Sequence, residues 1–232
     1  MSDVNSDYLT PTSIIDSDHP SIRDYASAII RGGKESIEIA VKLYLAVRDN
    51  ILYDPYSPFY LPEHYRASYV LERGRSFCVP KASLLCALAR ACSIPARIGF
   101  ADVRNHLATK QLIRFMGSDL FVYHGFAECY LEGKWVKATP AFNIDLCRKH
   151  HVPPLEFNGR EDSLFQAYNS QNQRFMEYID FHGLYADIPV GQIIVAWGKA
   201  YGKDRVKNWI RKLEEGNDRS LSDFAKEEVL ND

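Results

Sequence analysis

A cysteine at the start of a predicted helix is the residue best placed for chemistry in this sequence. Cys78 precedes an Ala- and Leu-rich run that reaches Arg90, and Pro80 suits the first helical turn, where a missing N–H costs nothing. Unpaired N–H groups and the positive end of the helix dipole favour the thiolate, the form that attacks carbonyl carbon. Cysteine is also a common small core residue, but this position favours a nucleophile.

The four other cysteines are predicted to have no catalytic part. Cys86 and Cys92 lie within and at the end of the same helix, Cys129 lies in a predicted strand, and Cys147 follows in a loop. Five cysteines are an odd number, and no pair has the spacing of a zinc knuckle or a redox dithiol. We therefore expect reduced thiols in a reducing compartment.

A thiol nucleophile needs a base within hydrogen-bond reach, and His124 is the strongest candidate. It opens a predicted strand directly after an apolar run and precedes a glycine, whereas the six other histidines lie elsewhere, mostly in predicted loops. Strand ends are rigid platforms whose side chains can point into a cleft. A purely structural histidine in a sheet is the alternative interpretation.

Helical spacing of apolar residues predicts the elements before and after the site. Four helices are predicted first, over residues 22–31, 35–49, 66–73 and 78–92. Three more are predicted later, over residues 193–201, 204–213 and 223–230. The Pro- and aromatic-rich segment Tyr53–Tyr60 is predicted to be a loop that could line a pocket.

A sheet is predicted between these two helical regions. Its strands are predicted over residues 96–103, 121–131 and 135–139. A tight turn joins the last two strands, and a short helix over residues 107–116 separates the first two. Residues 141–162 are predicted to be irregular, and the pattern of residues 165–179 fits either a helix or an extended segment. Helices followed by an antiparallel sheet indicate an α+β fold.

Length and charge limit the domain organisation and the classes of partner. The 232 residues suit one structural unit, with a loosely ordered lead-in over 1–20, a core over 21–160 and a helical extension over 161–232. A net charge of −2 gives no electrostatic reason to expect nucleic acid or a membrane surface as a partner. The sequence has no apolar run of spanning length and begins with polar, acidic residues, so we expect a cytoplasmic protein.

A metal site is the weaker hypothesis. Cys147, His150 and His151 are close in sequence, but they do not complete a four-ligand pattern. No loop carries carboxylates at calcium-ligand spacing. We expect neither a metal nor another cofactor.

Three sequence segments together resemble the transglutaminase-like superfamily of papain-type thiol folds. They are Gly74–Cys78 with its helix, Ala91–Arg97 and His124–Val136. The resemblance implies a papain-like α+β core in which N-terminal helices pack on an antiparallel sheet, with a C-terminal helical extension following it. It implies that Cys78 is the nucleophile and that His124 is the base and acid of acyl transfer or amide hydrolysis.

The sequence departs from the family at the residue that orients the histidine. The family has an aspartate after the return strand, and Thr139 stands at that position. A threonine hydroxyl can bond to an imidazole N–H but cannot neutralise imidazolium. Asn143 or Asp145 could supply the contact instead, since an asparagine holds the imidazole in papain-like enzymes.

Two functions are therefore open. The first is cysteine-dependent acyl transfer, or hydrolysis of a peptide, protein or other amide through a thioester, by a thiol acyltransferase or hydrolase. The second is a catalytically inactive domain that acts as a binding or scaffolding module, which the Thr139 departure favours. For the enzyme, the N–H of Cys78 is the expected oxyanion donor. Tyr53 is either a second donor or, the interpretation that we favour, a tyrosine that only packs in the aromatic loop. Arg97 is expected to pair with Glu128 and to support the fold.

Overall fold

A helical layer packs against an antiparallel sheet in the computed structural model, which describes residues 6–215 and 224–227. The α-helices are α1 (Pro20–Ile29), α2 (Ser36–Asn50), α3 (Ala67–Arg73), α4 (Cys78–Ala91), α5 (Lys110–Met116), α6 (Ile144–Lys149), α7 (Val190–Trp197) and α8 (Lys203–Glu214). The strands are β1 (Leu52–Tyr53), β2 (Arg75–Ser76), β3 (Ala96–Asn105), β4 (Leu120–Leu131), β5 (Lys134–Ala138) and β6 (Met176–Tyr185). This arrangement confirms the predicted α+β class and the helical C-terminal extension.

The main sheet has the strand order β5-β4-β3-β6, and every neighbouring pair is antiparallel. The β4–β5 hairpin is the one that the sequence predicted. A second, two-stranded sheet pairs β1 with β2 in parallel, so that Tyr53 lies opposite Ser76. Because β2 ends two residues before Cys78, this small sheet brings the aromatic loop after α2 to the start of α4.

Helix α4 is buried on every side, since each residue from Val79 to Arg90 is buried. Its many alanines allow close packing against β4 and against the surrounding helices. The two cations on α4 donate to backbone carbonyls: Lys81 to those of Arg48 and Ile51, and Arg90 to three others. A buried charge that is hydrogen-bonded in this way is tolerated, and these bonds fix α4 in the centre of the fold.

Strand β6 is the main element that the sequence left undecided. It pairs with β3 along most of its length, from Asn105↔Met176 to Ile98↔Tyr185. The predicted extension therefore contributes a strand to the same sheet as the core. A strand of this kind forms because a partner edge is available, which the local pattern of residues does not reveal.

Two other predictions differ in detail, and a third lies mostly outside the described residues. Helix α6 lies within the segment predicted to be irregular, and the predicted helix 193–201 is α7 followed by a π-helical turn over Gly198–Gly202. The predicted helix 223–230 lies outside the described residues except for residues 224–227, of which Phe224–Lys226 form a 3-10 turn.

The described part of the predicted lead-in packs on the helices. Ile14 and Ile15 are buried, and the Asp16 carboxylate accepts from the N–H and hydroxyl of Ser68. Two adjacent isoleucines bury enough apolar surface to hold an otherwise polar segment in place. The boundaries of the core at 21–160 and of the extension at 161–232 stay predictions.

The predicted ion pair between Arg97 and Glu128 is confirmed. Arg97 on β3 and Glu128 on β4 form an ion pair at 2.7 Å, and the Arg97 guanidinium lies 4.0 Å from the ring centroid of Trp135 on β5. These contacts link three neighbouring strands. All five cysteines are free.

Gly125 on β4 sets the separation between α4 and the sheet. A Cβ atom there would lie 2.8 Å from Cα and 2.9 Å from Cγ2 of Val79. We expect Gly125→Ala to lower the free energy of unfolding by about 1–3 kcal/mol because the helix must shift. The measurement is urea denaturation followed by circular dichroism.

Gly191→Ala is the matched control, because a Cβ atom on this exposed residue of α7 meets no atom within 4 Å. Alanine is a better helix former, so the control should keep or raise stability by up to about 1 kcal/mol. Equal effects of the two substitutions would contradict a close helix–sheet contact at Gly125.

Candidate active site

The candidate site lies where the first residue of α4 meets β4. Cys78 is half-buried and begins α4 after an extended Phe77. His124 lies on β4 and is 4% exposed. Both side chains line the same two cavities, one of about 560 Å³ and one of about 290 Å³. The structure thus brings together the two residues that the sequence singled out as nucleophile and base.

Backbone N–H groups surround the sulfur of Cys78. The N–H groups of Gly125, Val79 and Cys78 itself lie close to Sγ and favour the thiolate. Gly125 directly follows His124, so the sulfur lies beside the peptide group that joins these two residues. The close approach of α4 to β4 at Gly125 is what makes this contact possible.

A bulge in the sheet sets the orientation of His124. Its partner on β3 is Ala101, and the register between β3 and β4 shifts immediately beyond that pair. Tyr123, just before His124, has a positive φ of 59°, and its N–H donates to Asp102 at 3.0 Å. Asp102 also contacts Nε2 of His182 at 2.6 Å. Bulges commonly re-aim a side chain next to an active site, and Asp102 holds this one in place.

Burial decides the protonation of the resting pair. It raises the pKa of the Cys78 thiol to about 11, although the three nearby N–H groups act in the opposite direction. It lowers the pKa of His124 to about 3. At neutral pH the resting pair is therefore a thiol and a neutral imidazole. The sequence predicted a thiolate from the helix terminus alone, and desolvation outweighs that effect.

The far side of the imidazole has an apolar environment. Nε2 of His124 is buried and makes no hydrogen bond with the residues that the structure describes. The ring of Phe165 lies 5.1 Å from that of His124, and the ring of Tyr178 lies 6.3 Å away. The Tyr178 hydroxyl is close to Thr139, which partly offsets the burial that raises the pKa of Tyr178.

The other two predicted third members make contacts of their own. Oδ1 of Asn143 accepts the backbone N–H of Tyr53 at 3.1 Å. Asp145 is exposed and pairs with Arg148 at 3.3 Å. The residue that orients His124 in a reacting complex thus stays a prediction, whether Thr139 or Asn143.

Tyr53 borders the candidate site. It lines both cavities with Cys78 and His124, and its ring packs edge-on against Phe142 at 4.7 Å. Its hydroxyl makes no hydrogen bond with the part of the chain that the structure describes. Burial holds the pKa of Tyr53 well above its usual value, so the hydroxyl keeps its proton and can donate it.

Several cavity residues were missed by sequence reasoning. Phe165 and Tyr178 approach His124, and Trp197, Tyr201 and Trp209 line the larger cavity. All five belong to the extension, far from Cys78 in sequence. The sequence indicated the loop Tyr53–Tyr60 as a possible pocket wall, but it did not indicate that aromatic residues of the extension line the same cleft.

The described residues contain neither a cluster of metal ligands nor a membrane-spanning helix. In residues 6–215 and 224–227, no three His, Cys, Asp or Glu side chains come together as a metal site would require. Over the same ranges, no helix combines the length and apolar character needed to cross a membrane. The cytoplasmic location stays a prediction.

Comparison with known proteins identifies one family. A family model described as the transglutaminase-like superfamily matches residues 23–140, which is half of the chain. No curated protein matches the sequence.

Three solved structures have similar folds. A protein described as a "putative cysteine protease" from Cytophaga hutchinsonii is 17% identical over 79% of this chain and 55% of its own, with a TM-score of 0.47. A "putative protease" from Parabacteroides distasonis is 15% identical over 51% and 23% of the two chains, with a TM-score of 0.37. The periplasmic domain of TgpA from Pseudomonas aeruginosa, bound to ethylmercury, is 15% identical over 58% and 46%, with a TM-score of 0.39. The chain spans at most 55% of the length of each of these three structures.

The pH dependence of Cys78 alkylation tests the neutral resting pair. Because burial raises the pKa of the thiol to about 11, the thiolate fraction should rise about tenfold for each pH unit through pH 7–10. Iodoacetamide labelling, read at the Cys78 peptide by mass spectrometry, should follow that rise. A plateau already reached below about pH 8, under the usual cysteine pKa of about 8.5, would instead indicate a thiolate–imidazolium pair.

Thr139→Asp should restore the missing charge. A carboxylate near the imidazole favours imidazolium and raises the pKa of His124, and imidazolium in turn lowers the pKa of Cys78. We expect labelling of Cys78 at pH 7 to become at least about tenfold faster, which corresponds to one pKa unit. Thr139→Val, of similar shape but without charge, is the control and should behave like the native protein. Equal rates for the two variants would show that this position does not act on His124.

Proposed function

The chain belongs to the transglutaminase-like superfamily, and on this premise we propose that it performs acyl transfer or amide hydrolysis through a thioester on Cys78. The observation that carries the proposal is the position of the Cys78 sulfur. It lies beside the backbone N–H of the residue that follows His124, in cavities that both side chains line. The substrates are peptides, proteins or other amides.

The reaction proceeds in two halves. In the first, Sγ of Cys78 attacks the carbonyl carbon, a C–S bond forms, and the thiol proton passes to His124. The amide C–N bond then breaks, and His124 returns the proton to the leaving amine. In the second half, water or an amine attacks the thioester while His124 accepts its proton. The C–S bond breaks, and the proton returns to Sγ.

A neutral resting pair is compatible with this scheme if the proton moves as the C–S bond forms. An isolated thiolate or an isolated imidazolium is unfavourable in the buried site, as the pKa directions of Cys78 and His124 indicate. Charges that arise together attract each other strongly where water is excluded. The hydroxyl of Tyr53 and the N–H of Cys78 are the groups proposed to stabilise the oxyanion.

A catalytically inactive binding module is the second candidate. It is favoured by one specific observation: Nε2 of His124 is buried and makes no hydrogen bond within the described part of the chain. Thr139, at the position of the family aspartate, brings no charge that could balance imidazolium. In this case Cys78 would form no acyl-enzyme and would release no product.

An activated ester distinguishes the two candidates. We expect p-nitrophenyl acetate to acylate Cys78 and the acyl group to pass to water or to added amine, as followed by intact mass and product release. His124→Ala should slow acylation by about 10²–10⁴-fold, the range of general-base contributions, and Cys78→Ala should abolish it.

Cys92→Ala is the matched control, since Cys92 is a half-buried thiol at the other end of α4 and should not affect the reaction. Acylation that is unchanged in His124→Ala would contradict the assignment of the base. An absence of any acyl-enzyme in the native protein would leave the binding module as the function.

Tyr53→Phe tests the oxyanion donor. Loss of one donor should slow acylation of Cys78 by about 10²–10³-fold. Alkylation by iodoacetamide should be unchanged, because attack on its saturated carbon creates no oxyanion. Tyr60→Phe, a half-buried tyrosine of the same loop, is the control. An equal loss in both reactions would indicate that Tyr53 only packs the site.

A further inference from the structure

The larger of the two cavities beside Cys78 has aromatic and apolar walls. They come from the aromatic loop, from the region of α5 and β4, and from the helical extension. The large side chains of this wall include those of Phe59, Met116, Phe121, Trp197, Tyr201 and Trp209. No Asp, Glu, Lys or Arg is among the described residues that line the cavity.

Trp197 and Tyr201, two of the wall residues, have their polar ends engaged with the backbone of β4. Nε1 of Trp197 donates to the carbonyl of Val122 at 2.7 Å. The Tyr201 hydroxyl accepts the N–H of Val122 at 2.7 Å and donates to the carbonyl of Leu120 at 3.0 Å. The hydroxyl of Ser57, which also lines the cavity, donates to Asp54 at 3.2 Å. These groups therefore present carbon surface to the cavity.

The groups proposed to react or to donate in this cavity are those of Cys78, His124 and Tyr53. A charged substituent placed against the remaining wall would lose its water and gain no partner, which is strongly unfavourable. A primary amide would leave its two donors and its acceptor unpaired there. An aromatic or branched aliphatic group loses nothing and gains burial.

We propose that this cavity is the acyl pocket and that it selects acyl donors with a large, uncharged, apolar substituent next to the reacting carbonyl. The cavity, counted together with the space at its open mouth, encloses about 560 Å³. The inference rests on the proposed function, because it assigns the substrate class of the same nucleophile. It also gives the helical extension a role, since Trp197, Tyr201 and Trp209 are the determinants of specificity.

A panel of N-acetyl-aminoacyl chloromethyl ketones tests the inference. These probes alkylate a nucleophilic cysteine and differ only in the side chain next to the carbonyl. We expect the Phe and Leu probes to label Cys78 at least about tenfold faster than the Gln, Glu and Lys probes, as measured by intact mass. Rates within about threefold for all five, or faster labelling by a polar probe, would overturn the proposal.

A charge placed in the wall should change the preference. Met116 lines the cavity at the end of α5, and Met116→Lys adds a cation there. The Glu probe should then gain at least about tenfold relative to the Phe probe. Val195→Lys is the control, because Val195 is 59% exposed on α7 and the same charge stays in solvent. An unchanged order of probes in a folded Met116→Lys variant would contradict the pocket assignment.

Phe121→Gln provides a second variant should Met116→Lys not fold. Phe121 is half-buried and lines both cavities, and an amide there should lower the ratio of Phe to Gln labelling at least about threefold. An unchanged ratio would count against the proposal.

The proposed function and the acyl pocket can be refuted separately. If Cys78 forms the acyl-enzyme but all probes react alike, the proposed function stands and the substrate class is wrong. If Cys78 forms no acyl-enzyme and its alkylation does not depend on His124, the proposed function is wrong. The assignment of the acyl pocket is then wrong as well.

Discussion

The contact between Val79 and Gly125 is the constraint on which the site depends. It lets the first turn of α4 approach β4 so closely that a single added Cβ atom would lie 2.8 Å from the helix backbone. Through this contact the sulfur of Cys78 reaches the N–H beside His124. The buried cations of α4, Lys81 and Arg90, hold the helix from its other sides by bonds to backbone carbonyls, so its position relative to the sheet is determined independently of any substrate.

The same close packing explains the electrostatics of the pair. A site from which water is excluded disfavours an isolated charge on either Cys78 or His124, and the dipole of one helix does not reverse that effect. Relatives are expected to balance imidazolium with a carboxylate, and Thr139 provides only a hydroxyl. The chemistry proposed here therefore depends on charges that form together and on donors such as Tyr53 that stabilise the oxyanion as it develops.

The extension after residue 160 is part of the site as well as part of the fold. Strand β6 completes the sheet beside β3, and it carries Tyr178 toward His124. The aromatic residues of α7, the π-helical turn and α8 close the larger cavity. A nucleophile supplied by the core and a pocket supplied by the extension would allow the specificity of such a protein to vary without a change in its chemistry.

The sequence by itself determined the local features. A proline in the first turn predicted where α4 begins, period-two and helical patterns predicted α2, α4, β3 and the β4–β5 hairpin, and the phrases around Cys78 and His124 predicted the family. Tertiary structure alone decided the rest. It determined β6, since a strand depends on the edge that it joins. It also determined the neutral state of the pair, since burial depends on every surrounding residue, and the apolar pocket, whose walls come from residues distant along the chain.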